Sequence, residues 1–403
     1  MFVAERAPTL KTVLLATGVV LTLAMGVRHG FGFWMQPISQ ANGWTRETYS
    51  LAQAMQNLMW GAIGPFAGMA ADRFGTMRVV LVGAISYMLG LVWMATITQP
   101  TLFVLGSGLL IGVGLACTAF GAVSGIIGRV APVEKRSWAF GISGAASSFG
   151  QFMMMPVEQQ LISAVGWQNA FYILGALLVL LMVPMAFHLR EPAVAHAHGP
   201  QQSIREAAGE ALRNRSFLLL VAGYFVCGFQ VVFIGVHLPA YLKDKGIGDA
   251  GVAVLALALI GLFNIFGSYY AGKLGGRLPK RHLLSTIYFA RSVVISLFLL
   301  APLMPLSVYL FAAAMGVLWL STVPLTNGII AGVFGVKHMS MLAGMVFFSH
   351  QLGSFLGVWL GGYLYSTTGS YDIVWGIAIA LGVMAGLINL PINERPLVRA
   401  QAA

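Results

Sequence analysis

In the stretch AMGVRHGFGFWMQ, Ala24 to Gln36, an arginine and a histidine stand side by side within an otherwise apolar run. A guanidinium in such a place can receive a carboxylate through two parallel hydrogen bonds, or it can bind the carbonyls of a neighbouring helix. His29 points about 100° around a helix from Arg28, so the two cannot serve one ligand equally. Glu158, in MMMPVEQQLIS, is the sole carboxylate inside an apolar run. A carboxyl shielded from water there can load and release protons, whereas one close to the run's end simply reaches water. His237, Asn264, Asn327 and His350 can line a polar pathway, with hydrogen bonding between helices as the plainer reading. His350 is also a candidate for carrying a proton. The amides Gln56, Asn57, Gln230 and Gln351 complete the polar set.

Other chemistries are absent from the residues. Cys117 and Cys227 both lie in apolar runs without metal-ligand spacing, and His196 and His198 sit in a polar segment where solvation is their ordinary state. No metal site and no cofactor is expected. There is no G-x-x-x-x-G-K-[ST] phosphate loop and no soluble domain to house an enzyme, so any work done must draw on a gradient.

The elements that hold these residues follow from composition. The chain has 403 residues, 58% hydrophobic and 9% charged, and a mean hydropathy of +0.83, values that fit a polytopic membrane protein and no soluble domain. Apolar runs of bilayer-crossing length predict spans at about 12–36, 47–70, 79–97, 101–127, 138–163, 169–188, 216–240, 250–271, 283–302, 306–330, 341–364 and 373–391. The first run is too long for a cleaved leader and reads as a retained span. The net charge of +11 invites a nucleic-acid partner, but the bases separate by loop. Only Arg46, Lys243 and Lys245 fall in one set of loops; all other lysines and arginines except Arg28 and Arg291 fall in the opposite set. That asymmetry accounts for the charge without nucleic acid and puts both termini in the cytoplasm. Residues 190–215 are polar, with SIREAAGEALRNR at helical spacing, and divide residues 1–189 from 216–403, each with six spans.

The halves repeat one another. GMAADRFGTMR (Gly68 to Arg78) follows the second span, and GKLGGRLPKR (Gly272 to Arg281) follows the eighth. Gly68, Asp72, Arg73, Gly75 and Arg78 reproduce the pattern G-x-x-x-D-R-x-G-x-x-R, with Gly272 and Arg277 in the degenerate second copy. Its glycine permits close helix contact, and its charges can cluster at a helix end, breaking and reforming as the halves move.

With this motif in this loop, the chain resembles the major facilitator superfamily. GVRHGFGFW and NGWTRETYSLAQAMQNLMWG resemble, more closely, the bacterial monocarboxylate porter branch. The resemblance implies an all-α polytopic fold of twelve transmembrane helices in two pseudo-symmetric six-helix bundles. It also implies alternating access to a midplane site, in which spans one, four, seven and ten line the cavity. Arg28 then lies on a cavity span. Arg291 lies on a peripheral one, where a structural or lipid-facing role with a snorkelling stem is expected. The branch commonly bears an arginine on span eight, where this chain has Ser268, and related exchangers carry a lysine on span eleven at or near His350. Arg28 is therefore a candidate for the missing anion contact.

The expected activity is secondary transport of a small organic anion, a monocarboxylate, with protons, by a monomer in the cell inner membrane. The alternative is a larger or neutral solute such as an aromatic metabolite, vitamin or drug, for which Phe31, Phe33 and Trp34 would be suited. A sensor that carries nothing would be expected to show a signalling extension, which the tail NERPLVRAQAA does not offer.

Overall fold

The computed structural model describes residues 8–132, 136–190, 204–335 and 339–397, and every regular element among them is helical. The chain begins with α1 (Leu10–His29), a 3₁₀ turn (Gly30–Trp34) and α2 (Met35–Asn42), which together make the first span. The rest of the first half comprises α3 (Arg46–Phe74), α4 (Thr76–Thr96), α5 (Pro100–Thr118), α6 (Phe120–Val130) and α7 (Arg136–Phe187). A short α8 (Ile204–Leu212) precedes the second half: α9 (Arg215–Asp244), α10 (Ala250–Gly275), α11 (Lys280–Leu300), α12 (Pro305–Leu318), α13 (Thr322–Phe334), α14 (Met339–Thr368) and α15 (Asp372–Asn389).

Ten stretches among the described residues are long and apolar enough to cross a bilayer. Two further spans bring the total to the expected twelve. The first is hidden because α7 holds spans five and six, separated by Gly166 alone at φ 79°. That left-handed conformation costs glycine nothing, so one residue replaces the loop expected between 163 and 169. The second is α3, whose 29 residues are long enough but not apolar enough. Arg46, Ser50, Gln53 and Asn57 recur along it three and four apart and place a polar stripe on one helix face.

Local signals start and stop these helices. Thr9, Asn214 and Asp249 accept backbone N–H groups at the starts of α1, α9 and α10. Gly43 and Gly75, at φ 65° and 89°, end α2 and α3.

Within the first half α1 packs on α7, and α3 and α4 pack on α5; within the second α9 packs on α14, α10 on α12 and α11 on α15. The two bundles meet where α3 lies along α14, α7 crosses α10, and the 3₁₀ turn touches α9. A Cβ on Gly32 would stand 2.7 Å from the Gly235 carbonyl oxygen, so only glycine allows this last approach. Large apolar side chains such as Leu15, Leu180 and Leu300 remain exposed on the perimeter, as a surface facing lipid requires.

Candidate functional site

The α-helix of the first span tightens into 3₁₀ immediately after Arg28 and His29, at GFGFW. The backbone groups are pinned from neighbouring spans. The Tyr49 hydroxyl donates to the Phe31 carbonyl at 2.7 Å, and the Tyr87 hydroxyl donates to the Ala24 carbonyl at 3.2 Å. Arg28, 6% exposed, lies among them. Its Nη2 donates to Asn57 Oδ1 at 2.7 Å, and Asn57 is itself held by donating to the Gln53 carbonyl. The guanidinium lies 5.8 Å from the Phe31 ring centroid. Its buried Nε has no hydrogen-bond partner, and among the described residues no carboxylate comes within ion-pair distance. A buried cation left incomplete is costly unless something anionic or polar completes it. Gln53 and Gln56, on the same helix as Asn57, also hold buried unpartnered amide atoms.

Glu158 does not reach water as its place near a span end allowed; it is fully buried. The Trp34 indole donates to its Oε2 at 2.8 Å, while Oε1 has no partner. Its carboxyl presses on Gly30, where any Cβ would overlap it. Trp34 also stacks on Phe171, with centroids 3.9 Å apart. Phe31, Phe33 and Trp34 are all buried, so the aromatic cluster is packed into the fold in this conformation.

Arg291 corrects a second expectation. It faces the protein interior, fully buried, and does not snorkel towards a membrane boundary. Its guanidinium donates to the carbonyls of Leu318, at 2.7 Å from Nη2, and Trp319, where span ten breaks between α12 and α13. The break leaves carbonyls without helical partners, and a planar fork with several donors can satisfy two at once. Asn264 serves the same break: its Oδ1 accepts the Leu320 N–H at 3.0 Å. Its Nδ2 donates to Ser148 at 3.3 Å, joining α10 to α7 of the other bundle. Ser268, in the family arginine's place, donates to Asn264 Oδ1.

The remaining candidates are dispersed. His29 donates Nδ1–H to the Met25 carbonyl at 2.6 Å, within its own helix. His237 is buried, with its Nε2–H on the Val358 carbonyl at 2.9 Å and its Nδ1 3.2 Å from the Tyr371 hydroxyl. His350 donates to Gln351 Oε1 at 3.0 Å and stacks against Phe347. Gln351 lies against Gly61, one turn beyond Asn57, where α3 meets α14. Asn327 is half-buried on α13. In the loop motif, Gly75 terminates α3 and Arg78 is exposed, as are Gly272 and Arg277 in the second copy. The side chains of Asp72 and Arg73 lie outside the described residues. No atom of the described residues lies within 4 Å of a Cβ on Gly68.

Residue types alone would not have picked out Tyr49, Tyr87 and Gln53 as the surroundings of Arg28. The available signal was the polar stripe on α3, where Gln53 and Asn57 lie one turn apart.

A Bacillus subtilis (strain 168) protein described as the uncharacterized MFS-type transporter YcxA is 25% identical over 393 residues, covering 95% of each chain. Human monocarboxylate transporter 11 is 28% identical over 342 residues, covering 80% of this chain and 69% of its own. The probable sulfoacetate transporter SauU of Cupriavidus necator is 27% identical, covering 88% and 89%. The crystal structure of a bacterial homologue of the human lysosomal transporter Spinster, inward-facing and occupied, superposes with a TM-score of 0.73 at 15% identity over 96% of this chain and 97% of that one. The Major Facilitator Superfamily pattern matches residues 15–357, and the chain belongs to that superfamily of membrane transporters.

Proposed function

We propose that this transporter moves a small organic anion, a monocarboxylate, together with protons by rocking one bundle against the other. The observation that carries the reading is Arg28: a buried guanidinium on the first span, oriented by Asn57, with Nε unpartnered and no carboxylate paired to it among the described residues. A substrate carboxylate would complete it, in the role the branch gives to an arginine where this chain has Ser268. Relatives named for monocarboxylates and for sulfoacetate, both acids, support the same class. A larger or neutral solute is less well supported, because Trp34 is already engaged by Glu158 and Phe171, whereas Arg28 keeps an unused donor.

Glu158 is the candidate proton carrier. It shares the break of the first span with Arg28 through Trp34 and Gly30, so a change of its charge is felt where the anion would bind. His350 and Asn327 remain candidates for the lining on the second bundle, and Asn264 for the seam between bundles. His29 and His237 are lesser candidates, since each already bonds to backbone. Residues 190–215 would link the bundles, and the loop basic residues would keep both termini on the cytoplasmic side of the inner membrane. A monomer would suffice, since both bundles come from one chain.

Reconstituted into proteoliposomes, the protein should accumulate labelled lactate or pyruvate under an inward proton gradient. No transport across a panel of small acids would refute the substrate class. Glu158→Gln should abolish proton-driven accumulation more than exchange, and equal loss of both would remove Glu158 from the coupling.

A further inference from the structure

At the face opposite the loop motif, Arg46 reaches from α3 to the second bundle. Both its Nη atoms donate to the Asp244 carboxylate at the end of α9, Nη2 to Oδ1 at 2.7 Å. Nη1 also donates to the Tyr371 hydroxyl at 3.2 Å, and the guanidinium lies over the Tyr365 ring, 3.9 Å from its centroid. Arg46 further lines a cleft of about 320 Å³ with Gln36, Ser39, Gln40, Gly43 and Trp44. Ser39 is 6% exposed, and its buried hydroxyl has no partner.

We infer that this cleft is an outer site for a small carboxylate, in which Asp244 is the resident carboxylate and is exchanged for that of the arriving anion. The fork already holds a carboxylate in the two-bond geometry that a free one would use, with Tyr365 and Tyr371 fixing its plane. Asp244 and Arg46 are both partly open to water, and such ion pairs are weak enough for one carboxylate to replace another. Ser39 and the amides of Gln36 and Gln40 offer hydrogen bonds that Asp244 does not use. Lys243 and Lys245 flank Asp244 and are exposed, adding positive charge in a set of loops that otherwise has only Arg46. Because Asp244 belongs to α9 and Arg46 to α3, exchange would also release a tie between the bundles.

The choice of a carboxylate rests on the proposed function, so the test reads binding and not uptake. Thermal unfolding of the purified full chain is followed against acetate, with chloride at equal ionic strength as reference. Asp244→Asn, which removes the resident carboxylate, should show a saturable rise in midpoint with acetate at a half-effect concentration at least about tenfold below the parent's. This tighter response should be lost in Asp244→Asn/Arg46→Ala, leaving no more than the parent's, and persist in Asp244→Asn/Arg28→Lys, whatever uptake assays show for the inner site. If Asp244→Asn does not fold, Asp244→Ser takes its place. Equal effects of acetate and chloride, survival of the tighter response without Arg46, or its loss with Arg28→Lys would each overturn the inference.

Discussion

Arg28 and Arg291 each stand beside a break in a membrane span, yet their guanidiniums are used in opposite ways. Arg291 reaches across from span nine and is occupied by the backbone: two carbonyls at the end of α12 accept from it, with Gln230 Oε1 3.5 Å away. Arg28 belongs to the broken span itself, and the carbonyls near its break are served by Tyr49 and Tyr87. Its guanidinium has one short bond to an amide and an idle Nε. A buried arginine whose donors are consumed by carbonyls holds structure, whereas one kept incomplete has capacity for a ligand.

Four substitutions would break or sharpen this contrast. Arg291→Ala should have the largest effect, since two buried carbonyls lose charged donors at about 1.5–3 kcal/mol each. The thermal midpoint in detergent should fall steeply, and an unchanged midpoint would end the contrast. Arg28→Lys keeps the charge and loses the fork. Uptake of the labelled acid should drop about 10- to 100-fold, equivalent to about 1.4–2.7 kcal/mol, while the midpoint stays close to the parent's. Normal uptake would make Arg28 structural as well. Gly30→Ala places a methyl into the Glu158 carboxyl and should cost about 1–3 kcal/mol, read as a lower midpoint; Glu158→Ala in the same chain should recover part of it. Smallest is Ser148→Ala, which removes the bond from Asn264 across the bundles. It should shift the midpoint by less than about 1 kcal/mol in equivalent stability, and a larger loss would make that seam more than glue.

How far these roles could be read from the chain differs residue by residue. The stretch around GFGFW drew attention because an Arg-His pair is unusual inside an apolar run, but the break itself was not legible there. Nor was the break in span ten: VLWLSTVP has no charge to draw attention, and the arginine that serves it sits on another span. Span eight's Asn264 was legible as polar, but its bonds to both Leu320 and Ser148 follow from the packing of α10 against α12 and α7. Arg46 read only as a loop charge, because its partner Asp244 is 198 residues away.

The sequence by itself determined that the chain is a twelve-span helical membrane protein of a transporter superfamily. Those features depend on local quantities, the length of apolar runs and the spacing within one loop motif, which need no knowledge of neighbours. Tertiary structure decided which polar groups meet. Trp34 and Glu158 are 124 residues apart and meet where Gly30 leaves room for the carboxyl, while Arg28 and Asn57 are 29 apart and meet because a long side chain reaches from α1 to α3. In a medium without water a buried polar atom depends on a partner within the protein, and packing decides which partner it meets.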